Sequence, residues 1–287
     1  MSFYDCLYNN LYIIAKKVLL NKQIKKYKNY ISRNKELCDI YNGERCFILA
    51  NGPSLSGLDF ALLENEYTFT VNQLVRNPQF GKLKTNFHVW ADRIFFEIDL
   101  NKDEDVEMLR TIKSVTEISP NVKVFYEVAA LPMIKQFKLD IHPYNYYFHA
   151  EGLNPRAFEY KTIDFSQVVP NYPTVIDYCI LLAVYMGFKE IYLLGCDCTS
   201  ILNIVQNKLK NAQNNSYAYR VSVNDAKRME MYASQRSIID ELKSQVAVFE
   251  TYEALSRYCN RQNASLYNAT DGGVLESIQR VRLCDII

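Results

Sequence analysis

Four polar segments stand directly after apolar runs, and each carries side chains suited to gripping a nucleotide. The sharpest is Asn51-Gly52-Pro53-Ser54, which follows Cys46-Phe-Ile-Leu-Ala50. Gly52 lets the backbone turn tightly beside a ligand, and Pro53 is tolerated at a first helical position. Ser54 and the amides after it can point at a phosphate or ribose. Asn72-Gln73 ends a second apolar run, Asp92 a third, and Asp197 a fourth. An Asn side chain offers both a donor and an acceptor to a base or ribose. An Asp at a strand end suits a ribose hydroxyl, a metal ion or the work of a general base. Any one of these residues alone would read as a cap or turn residue; four at separate run ends point to one shared pocket.

Other candidates are looser. Tyr217 and Tyr219 lie in Asn215-Ser-Tyr-Ala-Tyr-Arg220, inside the polar stretch 199–224. A lid there could bring two phenols and Arg220 over a leaving phosphate. With 22 tyrosines in the chain, a packing role for each is an equal alternative. His88 reads as a buried strand residue, and His149 is a candidate base. The three histidines have no metal spacing, and Cys196-Asp-Cys198 lacks the spacer of a zinc or redox pair, so no metal site is expected. Neither a G-x-x-x-x-G-K-[ST] loop nor a G-x-G-x-x-G turn occurs, which excludes ordinary P-loop and dinucleotide folds.

The elements that must position these residues follow from periodicity. The run at 46–50 is continuously apolar, as a strand buried on both faces is, and 67–71, 87–90, 122–128 and 190–195 read as further strands. Residues 102–114 read as a charged helix, and 174–186 as a helix apolar on nearly every side, hence buried, stopped by Gly187. Helices over 225–243 and 249–261 and a strand over 265–269 complete an α/β sheet of mostly parallel strands. Residues 140–172, rich in Tyr, Asn and Pro, read as a long loop or small subdomain. Residues 1–44 form an N-terminal arm, helical over 3–35, and 45–287 one catalytic-size domain with the lid at 199–224.

Composition narrows the function classes. A net charge of +1 over 287 residues provides no field for nucleic acid. Within the arm, however, Lys16 to Lys35 holds eight Lys or Arg and no acid, behind an apolar stripe of Phe3, Leu7, Leu11, Ile14 and Val18. That pattern suits a helix packed on the body or on a second copy, or one lying on an anionic membrane surface. No signal peptide precedes the eight cysteines, so reduced thiols and a cytoplasmic setting, at the inner face of the membrane, are expected. No run is long enough to span a bilayer.

Taken together, Phe47-Ile-Leu-Ala-Asn-Gly-Pro-Ser-Leu55, Val71-Asn-Gln73 and Ala183-Val-Tyr-Met-Gly-Phe-Lys-Glu-Ile-Tyr-Leu-Leu-Gly-Cys-Asp197 resemble the bacterial sialyltransferases of glycosyltransferase family 42. They also resemble the wider group of MptE-like proteins and motility-associated Maf glycosyltransferases. The tail Leu266-Tyr-Asn-Ala-Thr-Asp-Gly-Gly273 is similar to the MptE-like branch. The resemblance spans about residues 45–100 and 170–285. It implies a variant Rossmann-like (GT-A-like) fold. It also implies inverting transfer of sialic acid or a related acidic sugar from a CMP-activated donor to a hydroxyl on a glycan or glycolipid acceptor, with no cofactor required. By the resemblance Asn51, Gly52, Ser54 and Asn72 contact the nucleotide, Asp92 and Thr174 lie by the donor, and Tyr217 and Tyr219 face the leaving phosphate. Two departures matter. The family carries a His base after its tyrosine loop, and here no His follows His149; Tyr172 stands where the family has Arg. The base is therefore left among Asp92, His149 and Asp197. The alternatives are a magnesium-dependent pterin pyrophosphokinase, as in the MptE-like branch, with Asp92 and Asp197 as part of a carboxylate cluster, and a non-catalytic nucleotide-binding protein.

Overall fold

The computed structural model describes residues 3–152, 155, 161–202, 217–227 and 237–287, with side chains from residue 7 onward. Eight strands form one sheet: β1 (Arg45–Leu49), β2 (Tyr67–Val71), β3 (Phe87–Trp90), β4 (Lys123–Glu127), β5 (Asn145–Ala150), β6 (Val168–Val169), β7 (Glu190–Leu194) and β8 (Ser265–Asn268). Their order is β6-β5-β4-β3-β2-β1-β7-β8, and each neighbouring pair is parallel. The chain winds outward from β1 to β6, then recrosses through helix α5 (Val175–Tyr185) to lay β7 on the other side of β1. The winding direction thus reverses between β1 and β7, the place where doubly wound folds bind ligands. The protein is a Rossmann-like α/β fold.

The apolar runs are strands because both sheet faces are covered. Successive side chains of β1 alternate between two cores: Cys46 and Ile48 join the one that holds α5, while Phe47 and Leu49 join the other, with Met108, Ile112 and Val115 of α3 (Asp103–Ile118) and Met133 and Ile134 of α4 (Leu131–Gln136). Helix α5 is buried almost all round, lying across β1, β2 and β3 and under α6 (Ile238–Arg261). A capping box starts α5: Thr174 Oγ1 accepts from Asp177 N–H at 3.3 Å, and Asp177 Oδ2 accepts from Thr174 N–H at 2.7 Å. Gly187, at φ +98°, ends the helix against Asn42.

Three sequence expectations change. Residues 140–172 are not a loop throughout. Asn145-Tyr-Tyr-Phe-His-Ala150 is a fully buried strand, and its aromatic composition masked it because tyrosine packs well on a pleated surface whatever its hydroxyl does. The helices expected over 225–243 and 249–261 are, from Ile238 to Arg261, one continuous helix capped by Ser237; nothing between them breaks the backbone ladder. Residues 223–227 are helical, and 228–236 fall outside the described residues. The arm is two helices, α1 (Phe3–Leu19) and α2 (Asn21–Ile31). Helix α2 packs on β5 and buries Ile31, while Asn34 beyond it donates to the carbonyls of Tyr147 and Phe165 at 2.7 and 2.8 Å.

Candidate functional site

Strand register brings the sequence candidates to one rim. Leu49 is level with Thr70 of β2 and Leu194 of β7, so Asn51, Asn72 and Cys196 each stand two residues past one row of the sheet. Beyond β7 the chain turns sharply at Gly195 (φ +68°), and Gly52 N–H donates to the Gly195 carbonyl at 2.9 Å. This sends Asp197 back across the switch point. Its carboxylate accepts from Ser54 N–H at 3.3 Å and from Ser54 Oγ–H at 2.8 Å. The turn at 270–273 holds Asp197 from behind: Thr270 Oγ1 accepts from Cys196 N–H, Val274 N–H donates to the Asp197 carbonyl at 2.9 Å, and a Cβ on Gly273 would lie 2.7 Å from Asp197 Cα.

This corrects two expectations about the first turn. The Ser54 hydroxyl and amide are not free for a phosphate, because a carboxylate from 143 residues away takes both. Gly52 has ordinary extended angles (φ −69°, ψ 154°), so its turn needs no special backbone conformation. It must be glycine because a Cβ would collide with the Gly195 carbonyl and the Asp197 carboxylate. Pro53 starts a short 3₁₀ turn, 53–57. Burial pushes the Asp197 carboxyl up from its ordinary value, with the two Ser54 bonds opposing.

Asn72 sits in the left-handed region at φ 46°, which Asn tolerates better than most residues. Its Nδ2 donates to Asp92 Oδ2 at 3.0 Å. Burial raises the Asp92 carboxyl above the ordinary carboxylate range, and the Asn72 bond lowers it. Three amide oxygens of this rim, Asn51 Oδ1, Asn72 Oδ1 and Gln73 Oε1, are buried with no hydrogen-bond partner. Each such atom costs about 1–3 kcal/mol when left without a partner, so the rim carries three acceptors whose cost a donor would relieve.

The tyrosine segment closes on the same rim. Ala218 N–H donates to the Asn51 carbonyl at 2.9 Å, and Asn77 Nδ2 donates to the Ala218 carbonyl at 2.8 Å. The Tyr217 and Tyr219 rings lie 5.4 Å apart, Tyr219 being buried and Tyr217 partly so. Burial holds both phenols protonated, above their ordinary value. Arg76 latches the segment: it pairs with Asp225 and with Glu107 at 3.0 Å, and its Nε donates to Thr111 at 3.1 Å. The described part of the stretch 199–224 is therefore docked rather than open; 203–216 lie outside the described residues. Arg220 is exposed, and the guanidinium beside the phenols is that of Arg76.

Next to this rim, over the ends of β3, β4 and β5 and the start of α5, lies a cavity of about 540 Å³. Asp92 belongs to both regions, bonded to Asn72 and also lining the cavity, as Thr174 does. Also lining it are Arg93, Glu127, Glu151 and Asn171. His149 is not among the lining residues. It is 1% exposed, its Nε2 is 2.8 Å from Glu151 Oε2, and Tyr27 of α2 covers its ring edge-on at 5.1 Å. His88 is buried beside Thr70 and driven down to about 3, so it is a neutral packing group.

Comparison with solved structures shows a likeness in fold. The sialyltransferase CstII from Campylobacter jejuni, solved in complex with a substrate analogue, cytidine-5'-monophosphate, matches 58% of this chain and 76% of its own, at 22% identity and a TM-score of 0.31. No family model and no curated protein matches the chain. The fold assignment rests on strand order and register.

Sequence reasoning missed Glu127, Arg93, Glu151 and Arg76. Glu127 had a legible signal, being the polar end of the apolar run 122–126, the same pattern that marked Asp92. The signal was lost because the run was carried on to Val128. Nothing local distinguishes Arg76 from other surface-type arginines; its burial depends on α3 and on residue 225. Among the described residues no group of three or more His, Cys, Asp or Glu is placed to hold a metal ion, and all seven cysteines with described side chains are free thiols.

Proposed function

We propose that the protein is a glycosyltransferase that moves a sugar from a CMP-activated donor to a hydroxyl of a surface-glycan or glycolipid acceptor, with inversion at the anomeric carbon. The observation that carries this reading is the cluster of unpartnered amide oxygens, Asn51 Oδ1, Asn72 Oδ1 and Gln73 Oε1, at the switch-point rim. Such acceptors match the amino group of cytosine and the hydroxyls of a ribose. The sequence resemblance to family 42 points the same way for the same residues. The nucleotide lies across the ends of β1, β2 and β7, beneath Tyr217 and Tyr219, whose protonated hydroxyls can donate to the phosphate as it departs. The donor sugar, sialic acid or a related acidic sugar, stands at Asp92, where the rim meets the cavity. Asp197 orients Ser54 and the first turn and is a positioning residue.

Exposed Leu7, Leu11, Ile14 and Val18 on α1, beside the basic run 16–35, support contact with an anionic membrane surface where a lipid-linked acceptor would be met. The pyrophosphokinase alternative called on Asp92 and Asp197 as part of one carboxylate cluster. Each is instead engaged separately, by Asn72 and by Ser54, so no observation favours that reading.

The test is thermal stability during titration with CMP, CDP, UDP and ATP. A ligand at 100 times its Kd stabilises by about 2.7 kcal/mol, which moves the unfolding midpoint by several degrees. Stabilisation by CMP is the expected result. Stabilisation by ATP with magnesium, and none by CMP, refutes the reading.

A further inference from the structure

The cavity holds a group that the nucleotide rim does not explain. Glu127, the last residue of β4, is only 4% exposed yet lines the cavity. Its Oε2 accepts from Ala129 N–H at 2.7 Å, and its Oε1 is buried with no hydrogen-bond partner. A buried carboxyl half-satisfied by the backbone and half-unpaired is costly unless the free oxygen meets a donor in use. Polar groups around it include Arg93, Glu151 and Asn171, with the hydroxyls of Thr174, Tyr172 and Tyr178. Three carboxylates, counting Asp92, with one guanidinium and one amide make a lining that takes hydroxyl protons and offers few charges to an anion. This is the chemistry of a polyol site.

Resting on the transferase reading above, we infer that this cavity receives the acceptor saccharide, a hydroxyl-rich and uncharged sugar, and that Glu127 is the general base that takes the proton of its attacking hydroxyl. The geometry follows from inversion. The nucleotide departs toward the rim at Asn51 and Asn72, so the nucleophile enters from the opposite side of the sugar, and Asp92 stands between the two regions. As the acceptor oxygen bonds to the anomeric carbon, the bond from that carbon to the phosphate oxygen breaks and its electron pair leaves with CMP. The acceptor proton passes to Glu127 Oε1. No metal and no further reactant is needed for the balance.

Burial raises Glu127 above the ordinary Glu value, and this is the largest influence on it; the Ala129 N–H bond first, then Arg93 and His149, pull it back down. Asp92, Glu151, Tyr172 and Tyr178 also face the cavity. A raised carboxyl is a stronger base once ionised and requires a higher pH to become so.

The experiment compares wild type, Glu127→Gln and Glu127→Asp in release of CMP from CMP-N-acetylneuraminic acid with lactose as acceptor, across pH 4.5–9, alongside CMP binding by calorimetry. Gln keeps a carbonyl oxygen for Ala129 N–H, so the turn survives. The expected result is CMP affinity within twofold of wild type for both variants and kcat reduced about 100-fold or more in Glu127→Gln. The acid limb of the wild-type pH profile should be lost in Glu127→Gln and kept, at lower rate, in Glu127→Asp. Wild-type turnover with Glu127→Gln within threefold, or with its acid limb intact, overturns the assignment of Glu127 alone. A wild-type protein that neither binds CMP nor releases it overturns the transferase reading, and this inference with it.

Discussion

Gly52→Ala tests the switch-point geometry most directly. A Cβ at this position would come inside the 3.0 Å that real Cβ contacts essentially never breach, against the Gly195 carbonyl and the Asp197 carboxylate, with Asp197 Cγ at 2.7 Å. The Asp197 side chain can rotate away, but the Gly195 carbonyl is backbone and belongs to the β7 turn. Accommodating the methyl therefore breaks the 2.9 Å bond from Gly52 to Gly195 and the Ser54–Asp197 pair. A lost backbone bond is worth about 1 kcal/mol, a bond to a carboxylate about 1.5–3, and overpacking about 1–3. Since these share one displacement, we expect about 3–5 kcal/mol in total rather than the full sum. For a chain of this size that is a fall in unfolding midpoint of about 6–10 °C. The CMP-induced rise should vanish as well, since Asn51 moves with the turn. Gly57→Ala is the matched control: no atom lies within 4 Å of its Cβ, and a change within about 0.5 kcal/mol is expected. Scanning calorimetry with and without CMP reads both. A Gly52→Ala midpoint within about 2 °C of wild type, with the CMP shift intact, would refute the claim that β1 and β7 are welded here by backbone proximity.

Four further outcomes are expected. Asn51→Ala and Asn72→Ala should each weaken CMP binding about 10- to 100-fold by calorimetry, at about 1–3 kcal/mol per lost partner; unchanged affinity places the nucleotide elsewhere. Thr174→Ala removes one half of the α5 capping box and should cost about 0.5–2 kcal/mol in urea unfolding. Asp177, buried in that box, is pushed up to about 7 by burial. Its proton-linked stability is fully present below pH 4 and is lost as pH rises toward 7, so the unfolding free energy of wild type minus Asp177→Asn should fall by on the order of 3 kcal/mol between pH 4 and 8; a flat difference refutes the burial argument. Finally, Leu11→Glu with Val18→Glu should abolish co-sedimentation with anionic phosphatidylserine vesicles and leave CMP binding intact. Retained co-sedimentation, or a wild type that self-associates instead, removes α1 as the membrane contact.

The split between local and tertiary information is visible in particular residues. The sequence by itself determined β1, β2, β3, β4, β7 and α5, because an element covered on both sides is dominated by apolar residues and that pattern survives in one dimension. It also marked Asn51, Asn72, Asp92 and Asp197, because a polar side chain at the end of such a run stands out from its neighbours. Only the tertiary structure decided what those side chains touch. Asp197 meets Ser54 because the crossover through α5 lays β7 against β1, and nothing within 143 residues encodes that approach. Strand β5 was hidden because its tyrosines and His149 are buried by α2 and the sheet rather than by their own hydrophobicity. Glu127 became a candidate only once the ends of β3, β4 and β5 stood side by side around one cavity. Pairing and register are relations between distant segments, whose energy lies in contacts that no single segment contains.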